Sequence, residues 1–112
     1  MTDTAQFQRA FESSVLQIRQ RFIDRAEQQV KDLDDLMDRI ESCPGDRTAL
    51  VTATHLVHRI AGVAATLGFQ QMGELAQSAE SRLIACTQSP NEAAHVQAIA
   101  AVETLVAELD RL

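Results

Sequence analysis

Between Thr52 and Gly68 the chain sorts its residues cleanly only when it is wound as an α-helix, at about 100° per residue. Ala53, Leu56, Val57, Ile60, Val63, Ala64 and Leu67 then fall within roughly 60° of Ile60. All are apolar, and they form a core stripe. His55, His58, Gly62, Ala65 and Thr66 take the other side. His58 therefore faces water, with a glycine one turn further on. A glycine inside a helix costs about 0.5–1 kcal/mol relative to alanine. Gly62 stands where no core packing asks for a small residue, so a surface approaching His58 from outside is one reason for it. Simple tolerance of the glycine is the other.

The rest of the chain repeats this periodicity. Phe7, Phe11, Val15, Ile18, Phe22, Ala26, Val30, Leu33, Met37 and Ile40 recur every three or four residues. Ser14 and Gln17 have the spacing of a capping box. The expectation is a short first helix, a break near Ser13 and a long helix to about Glu41, with one unbroken helix as the alternative. Cys43-Pro44-Gly45 ends this segment, and Asp46 caps the helix that carries His58. Gly68 closes that helix.

Met72, Leu75, Ala76, Ala79, Leu83 and Cys86 stripe the next helix. Ser89-Pro90-Asn91-Glu92 opens the last, read with Ser89 at N-cap and Pro90 at the first helical position. Ile99, Val102, Leu105, Val106, Leu109 and Leu112 follow. No stretch alternates with period two. The chain is expected to be all-α: one domain over residues 1–112, an antiparallel up-down-up-down four-helix bundle with a possible short extra N-terminal helix.

Composition narrows the function. A net charge of −6 argues against nonspecific binding to nucleic acid or anionic membrane. No apolar run approaches a membrane span, and the N-terminus lacks the basic and apolar blocks of a secretory signal. With two cysteines, the expected setting is the cytoplasm with thiols reduced. Cys43, Cys86 and His95 should gather at one end of the bundle, but no ligand spacing supports a metal there. The acidic run Asp32, Asp34, Asp35, Asp38 and Glu41 reads as a solvated helix face. Neither a glycine-rich phosphate loop nor a base beside Ser13 or Ser14 is present.

His58-Arg59-Ile60-Ala61-Gly62-Val63-Ala64-Ala65-Thr66-Leu67-Gly68-Phe69 resembles the motif of histidine-containing phosphotransfer (HPt) domains of bacterial phosphorelays. The match lies at His58, Ile60, Gly62, Ala64, Leu67 and Gly68, and Leu75-Ala76 and Ala79-Glu80 fit the family's next helix. Ala61 stands where that family usually has a basic residue, and Val63 replaces a small one. Arg59 flanks the histidine as a candidate substitute charge but leaves the helix on the other side, the alternatives being a less stabilised phosphohistidine or a charge from elsewhere.

The resemblance implies a phosphocarrier rather than a self-sufficient enzyme. His58 would accept a phosphoryl group from a receiver aspartate or a histidine-kinase relay and pass it to another receiver. Implied partners are response-regulator receiver domains and a hybrid histidine kinase. The carrier itself would be a monomer without cofactor, Mg²⁺ being needed only in the receiver.

Helices two and three reverse near Gly68, which sets Glu80 roughly opposite His58 or His55. A carboxylate accepting from Nδ1–H would leave Nε2 free to attack. Glu80 as a plain solvated charge is the alternative reading, and His55 is a second candidate acceptor without a following glycine. His55, Ala61, Ala65 and Phe69, with Gly62, are expected to form a shallow docking patch, unless Phe69 folds over the bundle end as core. A bundle that binds partners without being phosphorylated is the rival function. An enzyme with a buried pocket would need polar groups on the apolar stripes.

Overall fold

The computed structural model describes residues 2–112. Four helices follow one another: α1 Thr2–Ser42, α2 Arg47–Thr66, α3 Gln70–Gln88 and α4 Glu92–Asp110. Each packs against its neighbours in the chain, and α4 closes back on α1. The result is the antiparallel up-down-up-down bundle. Its interior is apolar throughout: Leu33, Ile40, Ile60, Leu83, Leu105 and Leu109 are almost completely covered, and no polar residue among those described is buried. Each such side chain contributes about 1.5–3 kcal/mol of burial.

No break occurs near Ser13. The Ser14 hydroxyl donates to the Ala10 carbonyl one turn back (2.9 Å) instead of capping a new helix. α1 is therefore one continuous rod, and at 1.5 Å per residue it accounts for the molecule's 61 Å long axis. The other three helices are half as long. Val15 is the first residue of α1 packed against the core and Phe22 the first buried one, so the helix from Thr2 to about Ser14 projects beyond the bundle.

Turn chemistry fixes the connections. Asp46 accepts from the Ala49 amide at 3.0 Å and pairs with Arg39 across the first turn at 3.3 Å. At the second turn, Gly68 N–H bonds to Ala65 O and Phe69 N–H to Ala64 O, the Schellman pattern. It requires the left-handed backbone that Gly68 adopts, with φ 84°. Gly45 does not use that region. The third turn differs from expectation. Asn91, not Ser89, is the N-cap of α4; its side chain accepts from the Ala94 amide (2.8 Å) while Ser89 ends α3. Pro90 forces Ser89 out of helical backbone, which moves the start past the proline.

Candidate functional site

The Gly68 reversal folds α3 back along α2 and brings Glu80 beside His58. Glu80 Oε2 lies 2.6 Å from His58 Nδ1. The histidine keeps 70 % of its side chain open, while Glu80 keeps only 23 %. With the proton on Nδ1 donated to the carboxylate, Nε2 carries its lone pair outward into solvent. The pair is thus a half-covered acid group holding an uncovered imidazole.

Gly62 lies one turn on. A Cβ placed there meets no atom within 4 Å, so nothing in the chain's own packing requires a glycine. Beside it a shallow groove between α1 and α2 is lined by Ile18, His58, Arg59, Val63 and Thr66. Further along the same two helices, Asp32, Asp35 and Arg39 line a second groove with His55, His58 and Arg59. His58 stands between the two. His55 and Arg59 are both exposed, and Arg59 forms no ion pair among the described residues. Only His58 of the two candidate histidines meets Glu80. The acidic face of α1 is in part groove wall.

Two sequence expectations about this surface need correction. Ala61 is buried, whereas Val63, placed on the core stripe, is 39 % exposed. The buried arc of α2 is turned by roughly 30° toward α3. Gly73 explains the turn: a Cβ there would stand 3.5 Å from Ala65 N and 3.7 Å from Ala61 O, so α3 approaches the α2 backbone closely at this point. Ala65 remains exposed. Phe69 is not an open anchor. Its ring packs against Phe22 with centroids 5.4 Å apart, and the Arg19 guanidinium lies 4.3 Å over it. Arg19 also donates to the Leu67 carbonyl (3.4 Å), a tie between α1 and the end of α2 that no local signal marks. Val63 and Ile18 supply the apolar surface expected of Ala61 and Phe69.

At the far end of the bundle, Cys86 Sγ lies 3.3 Å from His95 Nδ1, while Cys43 is free and exposed. Burial pushes the Cys86 thiol above its ordinary value, so it stays protonated at neutral pH. No group of side chains arranged for a metal occurs among the described residues. No helix is long and apolar enough to cross a membrane.

Comparison with known proteins agrees with this geometry. No curated protein sequence matches the chain. Among solved structures, the CheA phosphotransferase domain from Thermotoga maritima superposes with a TM-score of 0.69 at 22 % identity, over 87 % of this chain and 94 % of that one, and shares its fold. The family model for the Hpt domain matches residues 17–112. The α2–α3 hairpin with its exposed histidine lies wholly inside that match, and the chain belongs to the Hpt domain family.

Proposed function

We propose that His58 is the residue on which this Hpt domain carries phosphate, and that Nε2 is the atom that bonds to phosphorus. Family membership supplies the general role, a histidine phosphorelay carrier. One observation carries the assignment to His58: its imidazole is open to solvent, with Nδ1 tied to Glu80 at 2.6 Å.

The step needs little from the carrier. The Nε2 lone pair attacks the phosphorus of a receiver's aspartyl phosphate in line. The N–P bond forms as the P–O bond breaks, and the aspartate leaves with the electron pair as carboxylate. Nδ1 keeps its proton, so the ring gains positive charge, and the Glu80 carboxylate stabilises that charge as it develops. The divalent cation that neutralises the transferring phosphoryl belongs to the receiver in this reading. Return transfer to a second receiver is the reverse attack. Receiver domains and a hybrid histidine kinase are the partners this chemistry requires, and the cytoplasm is the compartment where they would meet it.

Gly62 gives the receiver's backbone room beside the imidazole, and Val63 and Ile18 give it apolar surface. Arg59 is the cation nearest in sequence to the acceptor, at the groove His58 shares, and takes the part that a basic residue at Ala61 would play. The absence of that basic residue favours one second reading, a bundle that docks receivers without taking phosphate.

Incubation with a receiver phosphorylated on aspartate separates the two. Acid-labile phosphate appearing on the wild type and on His55→Gln, but not on His58→Gln, supports the carrier. Stable binding with no transfer supports the docking bundle.

A further inference from the structure

Before Val15, α1 contributes no side chain to the bundle core or to the grooves beside His58. About 20 Å of helix projects past the Gly68 turn. The Hpt match begins only at residue 17, so this overhang lies almost entirely outside the family's own fold. Yet it carries large apolar side chains in the open: Phe7 is 72 % exposed, Phe11 62 % and Ile18 47 %.

These side chains are ordered by the helix. Phe7, Val15 and Ile18 fall within roughly 40° of Phe11, on the arc that Leu33 and Ile40 use in the core. The core stripe continues through Val15, still packed on the bundle, onto Phe11 and Phe7, which no neighbour among the described residues covers. Along the stripe, Thr4, Phe7, Phe11, Val15 and Ile18 are separated by gaps of three, four, four and three residues. That spacing reads the same from either end, with Phe11 at its centre.

We propose that this face binds a second copy of the chain, the two overhangs pairing antiparallel about a two-fold axis beside Phe11. Phe11 then meets its own counterpart, Phe7 meets the partner's Val15, and Thr4 meets the partner's Ile18. Phe11 with Phe11 and Phe7 with Val15 make the apolar layers of a two-fold contact, and Thr4 with Ile18 closes each end as a mixed layer. The four apolar side chains of each copy, with the stems beside them, bury roughly 1,000 Å² in total, the lower edge of a stable interface. The dimer is accordingly concentration-dependent. Asp3, Arg9 and Glu12 are the only charges between Thr2 and Ile18, so most of the chain's excess negative charge stays away from the contact.

The monomer expected from sequence described the bundle, which closes around its own core. The proposed pairing departs from that expectation. The pairing sets the two bundles at opposite ends of an elongated particle, and Ile18, which lines the groove beside His58, is shared between this contact and the receiver-docking surface.

Sedimentation equilibrium on the full chain, across micromolar to submillimolar concentrations, tests this. Wild type should shift from the 12.3 kDa of one chain toward twice that mass. Phe11→Glu should weaken the dimer at least about tenfold. Leu16→Glu alters a residue of the same overhang that is 65 % exposed but roughly 140° away from Phe11, and should leave dimerisation unchanged. Circular dichroism checks that both variants stay helical. Small-angle scattering should give the dimer a length of about 100 Å, twice the 61 Å axis less the overlap. A wild type that stays monomeric at every concentration overturns the proposal. So does equal loss of the dimer in Leu16→Glu, or a dimer no longer than one chain.

Discussion

Glu80 reaches across from α3 to hold His58 of α2 by Nδ1 at 2.6 Å, while the far side of the ring stays in solvent. The contact is exposed on the histidine side, and pairs of that kind add little to stability. In the proposed mechanism its value lies in fixing which nitrogen carries the proton. Glu80→Ala is therefore expected to slow phosphotransfer by roughly tenfold while the melting temperature hardly moves. Paired measurements of transfer rate and thermal unfolding check this. A large loss of stability with unchanged transfer would mean that Glu80 is a structural residue.

Gly62 should separate stability from function in the opposite direction. Since a Cβ there meets nothing within 4 Å, Gly62→Ala is expected to stabilise α2 by about 0.5–1 kcal/mol. Gly62→Gln should stay folded yet lose receiver binding. Chemical denaturation and titration with a receiver domain read the two effects.

Ile60 and His58 are two residues apart on one helix but belong to different worlds. Ile60 is 1 % exposed, and Ile60→Asn is expected to cost at least about 3 kcal/mol and to leave the domain largely unfolded. His58→Gln should unfold at the wild-type denaturant midpoint. Urea titrations followed by circular dichroism compare them.

Asp46 ties the start of α2 to acid stability. The Ala49 amide above all holds its carboxyl below the usual 3.8; desolvation opposes it, and Arg39 and the Thr48 amide add to the lowering. Its contribution is thus complete above that unfolded value and disappears as pH falls through the lower folded one. Asp46→Ala should melt below wild type at neutral pH, and the two curves should converge in strong acid. Thermal melts across an acid pH series test the convergence.

The two thiols should differ in reactivity. Cys43 is exposed, whereas Cys86 is buried and its thiol is raised by that burial. In native buffer an alkylating reagent should modify Cys43 within minutes and reach Cys86 only in denaturant, as mass spectrometry of the labelled chain would read.

Much of this architecture is written locally. The stripes of α2, α3 and α4, the Asp46 cap and the Gly68 turn depend on residues close in sequence. Counting outward from Gly68 brings Glu80 opposite His58 or His55, and the packing of α3 on α2 decides for His58. What escaped a local reading depends on distant chain. The turn of α2 that buries Ala61 and exposes Val63 comes from Gly73 on another helix, and Phe69 is claimed by Phe22 and Arg19 from α1. The continuity of α1 was ambiguous because serine hydroxyls serve equally as caps or as partners for a carbonyl one turn back. Asn91 displaced Ser89 as cap because both are good caps and the intervening proline decides between them.

The most direct test of the central claim is the chemical position of the phosphate. In ¹⁵N-labelled protein phosphorylated by a receiver, ³¹P coupling should appear at Nε2 of His58, with Nδ1 still protonated toward Glu80. Coupling at Nδ1, or phosphate on any other residue of a folded chain, would contradict the account.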